Sequence, residues 1–145
     1  MFRFILFVNK QGQTRLSRYY FFPTVRERAE TEAELIRRCL LRPENVCNFF
    51  SINGTKVIYR RYASLYFIVG VEDTREENEL AILEWIHNLV ETLDRYFENI
   101  CELDIMFNVE KAHFILDEMV SEGRITETNR VYALSPLILM DKHGG

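Results

Sequence analysis

From Met1 to Val8 almost every position is apolar, the pattern of a strand covered on both faces, and Asn9-Lys10-Gln11-Gly12 then supplies a turn. A second strand is predicted from about Gln13 to Phe21. Side chains alternate along a strand, so Leu16 and Tyr20 fall on one face while Arg15, Ser17 and Tyr19 fall on the other. Arg15 and Leu16 are therefore expected in different environments. Pro23 closes this strand, and Thr24 followed by Glu27 has the spacing of a capping box that opens a helix. That helix carries one apolar stripe of Val25, Ala29, Ile36, Cys39 and Leu40, with Glu30, Glu34, Arg37 and Arg38 turned away. It ends at Arg42-Pro43, since the residue before proline is pushed out of the helical region.

Asn53-Gly54 separates two strand-like runs, Val46 to Ile52 and Thr55 to Arg61, and is the strongest hairpin signal in the chain. Tyr62-Ala63-Ser64 turns into Leu65 to Val71, the most apolar strand, which makes five strands in the order two, helix, three. Thr74 and Glu77 form a second capping box, opening a long helix from about Arg75 to Glu98. Its apolar arc, Ile82, Ile86, Leu89, Leu93 and Phe97 joined by Leu83, Trp85, Val90 and Tyr96, is wider than one docking face requires. The helix is expected to pack on the sheet and on another surface too. Asn108 is placed to cap a third helix striped by Ala112, Ile115, Leu116, Met119 and Val120, with Gly123 as its stop. The pattern predicts an α+β fold, one antiparallel sheet with helices packed on it, in a single domain over residues 1–145.

With 48% hydrophobic and 28% charged residues, 145 residues suffice for one core and not for two. Cys39, Cys47 and Cys101 are odd in number and widely spaced, which fits reduced thiols in the cytoplasm better than a disulfide framework. The run Phe4 to Val8 is too short for a signal-peptide core, and Leu65 to Val71 is too short to cross a bilayer. Phe2 does not fit a myristoylation signal, nor does the Lys142-His143-Gly144-Gly145 end fit a prenylation box, so membrane association is expected through partners. Residues 1–72 carry twelve Lys/Arg against six Asp/Glu, and residues 73–145 carry six against sixteen. Such a dipole can steer docking onto charged partners, while an acidic total without a long basic stripe argues against nucleic acid as the main ligand.

The chain shows no P-loop, GxGxxG, HExxH, EF-hand or paired CxxC spacing, so phosphate, dinucleotide and metal sites lack sequence support and no cofactor is expected. Cys101 or Cys47 could in principle serve a small cytosolic thiol enzyme, but neither has a histidine at a telling spacing, and free cysteine is among the most buried residue types. An enzyme is not the expected reading. Arg60 and Arg61 are adjacent on a strand and point to opposite faces, so they cannot both serve one pocket without a bulge.

Several blocks then acquire a common meaning. FILFVNKQGQTRLSRYY at 4–20, YRRYASLYF at 59–67, NELAILEWIHNLVE at 78–91 with CELDIMFN at 101–108, and FILDEM at 114–119 closely resemble the sigma chains of adaptor-protein complexes. The resemblance runs from residue 1 to about 142 in one register, apart from a slightly longer loop at Glu72 to Glu77. It implies a longin-like fold and a heterotetramer with two large chains and a medium chain, a coat for vesicle-mediated protein transport. ETNR at 127–130 and the tail from Leu134 to Lys142 are most similar to the fourth, clathrin-independent adaptor type of the trans-Golgi network. Localisation on the cytosolic face of trans-Golgi or endosomal membranes is expected to follow.

In several relatives the sigma chain recognises acidic dileucine signals in cargo tails. The matching positions are Arg15 for the acidic end, and Tyr62, Ala63, Leu65, Val90, Asn99, Ile100, Leu103 and Ile105 around the leucine pockets. Core packing alone would also select Val90, Ile100 and Leu103. The competing readings are another longin-fold coat subunit, such as the zeta-type chain of the COPI coat or a trafficking regulator, and the thiol enzyme.

Overall fold

The computed structural model describes residues 2–21, 23–41, 49–72, 79–98, 100–121 and 124–125. Strands β1 (Phe2–Asn9) and β2 (Thr14–Tyr19) form a hairpin, α1 (Val25–Leu41) follows, and β3 (Phe49–Ile52), β4 (Thr55–Tyr62) and β5 (Leu65–Glu72) complete one five-stranded sheet. Its order is β2-β1-β5-β4-β3, antiparallel throughout. Helices α2 (Glu79–Phe97), α3 (Glu102–Phe107) and α4 (Val109–Met119) come next, and a short pair, β6 (Val120–Ser121) with β7 (Arg124–Ile125), ends the described chain. The expected α+β arrangement is thus present. The Asn53-Gly54 turn has both residues at positive φ, 47° and 77°, as a two-residue hairpin of right-handed twist requires.

The sheet is covered on both sides, as the unbroken run at the N-terminus implied. Phe4, Leu6, Val8, Val57, Tyr59 and Ile68 meet Leu35 and Cys39 of α1 in one core. Ile5, Phe7, Leu16, Ile58, Leu65, Phe67 and Val69 meet α2 and α4 in the larger core opposite. Two register slips break the alternation. Phe2 pairs with Val71 but Phe4 with Gly70, so these residues, two apart, serve opposite cores. Phe7 pairs with Leu16 but Val8 with Thr14, which leaves Arg15 as the extra residue of a bulge.

Helix α1 begins as its sequence indicated, with the Glu27 amide donating to Thr24 Oγ1 at 3.1 Å and the Thr24 amide to the Glu27 carboxylate at 3.4 Å. Its stripe is different. Leu35 and Cys39 are buried, Ile36 and Leu40 flank them half-buried, and Val25 is 86% exposed with Ala29 also exposed. Only the second half of the helix lies on the sheet, so apolar residues in its first turns have nothing to pack on.

The wide arc of α2 is explained inside the chain. Ile82, Trp85, Ile86, Leu89, Val90 and Leu93 are buried, and Leu83, Tyr96 and Phe97 pack on the same core at its margin. The second surface is α4, to which Trp85 Nε1 donates through the Met119 carbonyl at 3.2 Å. Helix α3, which the apolar pattern did not predict, is opened by Asp104, whose carboxylate accepts from the Cys101 amide at 2.9 Å. Asn108 was expected to cap α4. Its side chain instead donates back to the Asp104 carbonyl at 3.2 Å and closes α3. The outer side of α3 and the start of α4 leave Leu103, Met106, Phe107 and Val109 exposed in near succession. No helix among the described residues is long and apolar enough to cross a membrane. The predicted signals at Arg42-Pro43, Val46, Thr74, Glu77 and Gly123 lie outside the described residues.

Candidate functional site

The bulge at Arg15 overturns the strict alternation expected for β2. Arg15 turns toward α3, where its Nε donates to Glu102 Oε1 at 2.6 Å and its Nη2 to Gln13 Oε1 at 2.8 Å. A bulge re-aims one side chain without disturbing its neighbours, and Leu16 stays in the core. Asn9, only 1% exposed, donates to the same Glu102 oxygen at 2.7 Å and to Gln13 Oε1 at 2.8 Å. Its own Oδ1 accepts from the amides of Gln11 and Gln13, which fixes the β1–β2 turn around it. Hydrogen bonds from Asn9 and then Arg15 hold the Glu102 carboxyl below the usual carboxylate range.

Around the same edge strand, Arg18 pairs with Asp117 of α4 at 2.7 Å, and Arg28 of α1 donates to Ser17 Oγ. A cleft of about 300 Å³ lies between these elements, lined by Arg15, Arg28, Glu32, Val109 and His113 among others. Burial pushes the His113 imidazole down, Arg18 acts the same way and Asp117 opposes them. An unfolded histidine titrates near 6.5, so as pH falls the unfolded chain binds this proton first. Stability due to His113 is therefore fully present above about pH 6.5 and is lost as pH falls through the lower folded value. Stability should decline as pH falls below about 6.5, and His113→Gln should flatten that decline; an unchanged slope by hydrogen exchange at several pH values would contradict this.

The expected leucine-pocket residues divide into three groups. Tyr62 and Val90 line a cleft of about 240 Å³ together with Arg60, His87, Glu91 and Asp94. Drug-sized ligands occupy pockets of about 300 Å³ or more, so this space suits one or two side chains. Leu65, Ile100 and Ile105 are at most 3% exposed and share the core with Val90. Core residues of this kind act on a bound chain only through the residues that cover them. Ala63 and Leu103 are at the surface, the first in the β4–β5 turn at φ 54° and the second 58% exposed. Leu103 and Ile105 are two residues apart on a helix and so face opposite ways, which prevents them from lining one pocket. Asn99 lies outside the described residues.

Asp94 connects the two regions. It lines the Tyr62–Val90 cleft, and its Oδ1 accepts from the Ile100 amide at 2.9 Å, two residues before Glu102. Sequence reasoning missed Asp94, Glu102 and Asn9. Glu102 and Arg15 are 87 positions apart, and only the fold shows that they meet. Cys39 is buried, Cys101 is half-buried, and no cluster of potential metal ligands occurs among the described residues.

The family model described as "Clathrin adaptor complex small chain" matches residues 1–144. The chain is 59% identical to the AP-4 complex subunit sigma of Arabidopsis thaliana, covering 97% of this chain and 96% of that one. It is 54% identical to the AP-4 complex subunit sigma-1 of Homo sapiens, covering 98% and 97%. A 43% match to the AP-1 complex subunit sigma-1A of Homo sapiens covers 94% and 85%. Among solved structures, a chain of "Homology model of the full-length AP-3 complex in a stretched open conformation" superposes with a TM-score of 0.75 at 29% identity, covering 98% of this chain and 94% of that one. The longin-like fold and the sigma-chain resemblance are borne out, with the higher identities falling on AP-4 sigma subunits. On near-complete coverage by both sequence and fold, this chain belongs to the clathrin adaptor complex small chain family.

Proposed function

We propose that this chain, as a single longin-like domain, is the small sigma subunit of a heterotetrameric adaptor coat of the fourth type, with two large chains and a medium chain as partners. It is non-enzymatic and acts in vesicle-mediated protein transport on the cytosolic face of trans-Golgi or endosomal membranes, which it reaches through the complex. The observation that carries the reading is near-full-length identity of 54–59% to AP-4 sigma subunits. The exposed run Leu103, Met106, Phe107 and Val109 supports it, since contiguous apolar surface marks a partner interface. Within that complex the chain takes part in reading acidic dileucine tails, with Arg15 toward the acidic residue and the Tyr62–Val90 cleft toward a leucine.

The test is co-expression with the other three chains, followed by peptide binding to the assembled complex. The four chains should purify together, and Arg15→Ser should weaken a dileucine peptide with its acidic residue but not one lacking it. Tyr62→Asp should weaken both, because it puts a charge where an apolar side chain must be buried. Tyr62 is a better choice than Val90, whose 4% exposure places it in the core. The Arg15-dependent part should shrink as salt rises. A chain that fails to join the complex overturns the subunit reading, while assembly without peptide binding leaves a coat subunit that reads no such signal.

A further inference from the structure

Arg15 already has an acidic partner within the chain. Of the two edges by which a guanidinium can grip a carboxylate, the one formed by Nε and Nη2 is taken, Nε by Glu102 and Nη2 by Gln13. Both members of the ion pair keep about a quarter of their side-chain surface in solvent, 25% for Arg15 and 24% for Glu102. An acidic ligand can therefore reach the pair, but it meets a neutralised charge. Glu102 is not held by Arg15 alone. The buried Asn9 donates to the same carboxylate oxygen and is itself pinned by two turn amides, so Glu102 stays at the site even when Arg15 moves.

We propose that Glu102 is an internal competitor for Arg15, a specificity-determining carboxylate that weakens the reading of the acidic residue in a cargo signal. This rests on the dileucine reading of the same site. An acidic tail must either displace Glu102 from the guanidinium or bind beside it against like-charge repulsion. Both reduce the gain from the acidic residue and leave the leucine contacts untouched. The depressed titration of Glu102 agrees with this, since the carboxylate remains charged, and so competitive, at neutral pH. Glu102 is thus expected to make the chain tolerant of tails with weak or no acidic residues.

Glu102→Gln removes the charge and keeps the shape, and the glutamine oxygen can still accept from Asn9 and Arg15. Assembled complexes carrying wild-type, Glu102→Gln or Arg15→Ser chains are titrated with two peptides, a dileucine peptide with an acidic residue and the same peptide with glutamine in its place. Glu102→Gln should strengthen the acidic peptide by roughly three- to tenfold at low salt, less at high salt, and leave the glutamine peptide unchanged. A purely structural role for Glu102 would weaken both peptides together. Unchanged or weaker binding of the acidic peptide by Glu102→Gln, with the wild type binding measurably, overturns the inference and leaves the dileucine reading intact. If neither peptide binds any of the three complexes, the dileucine reading falls and this inference with it. Binding of the acidic peptide by Glu102→Gln alone would support the inference in its strongest form, a site shut by its own carboxylate.

Discussion

Trp85→Ala is expected to destabilise the fold by about 4 kcal/mol, the middle of the range for truncating a buried aromatic. Trp85 is 4% exposed on α2, its ring centre lies 4.7 Å from that of Phe2 in β1, and its Nε1 donates to the Met119 carbonyl at the end of α4. One side chain thus joins the sheet, α2 and α4. Truncation would open a cavity at that junction and leave the Met119 carbonyl without its donor. Domains of this kind are stable by about 5–15 kcal/mol, so the loss would take up a large part of the margin. Trp85→Phe should cost less, about 1–2 kcal/mol, because it keeps most of the packing and loses the hydrogen bond. Hydrogen exchange of the α2 and β1 amides in the assembled complex reads both changes, and a difference below about 1 kcal/mol for Trp85→Ala would mean that the junction is not held this way.

Gly70→Ala is expected to cost about 3 kcal/mol, an overpacking penalty at the upper end of the usual range. A Cβ at Gly70 would stand 2.2 Å from Cε2 and 2.3 Å from Cζ of Phe4, far inside van der Waals contact. Phe4 is 3% exposed in the α1-side core, with Tyr19 at 6.3 Å between ring centres, so its ring has little room to retreat. The glycine is needed here for space rather than for backbone conformation. Combining Gly70→Ala with Phe4→Leu should therefore cost less than the sum of the two single changes. Strict additivity in a double-mutant cycle would show that the Phe4 ring is not what excludes the methyl group.

Both effects bear on function only through the frame that carries the site. Phe4 and Phe2 straddle the slip at Arg3, and the second slip, at Arg15, aims the arginine at α3. A change that slides β1 against its neighbours would move Arg15 away from Glu102 before it touched the Tyr62–Val90 cleft. The acidic and apolar halves of the proposed site are thus separable in principle, which is the basis of the peptide tests.

Local sequence was enough for the order of the five sheet strands and of α1, α2 and α4, for both faces of β1, the Asn53-Gly54 hairpin, the start of α1 and the family, because each is written in local periodicity, in turn chemistry or in contiguous blocks. It named eight of its nine site positions among residues the structure describes, and it named them through resemblance rather than through any pattern of their own. Tertiary structure alone decided which half of α1 lies on the sheet, that the wide arc of α2 is shared with α4, and that α3 and the start of α4 present a run of exposed apolar side chains. It alone decided the environment of Arg15. Alternation fixes the face of a strand residue only while the ladder stays in register, and the slip between Phe7 and Val8 breaks it at that position. The partner waiting there, Glu102, comes from the far half of the chain, and no local signal can record a contact that exists only once the sheet has formed and α3 has closed over its edge.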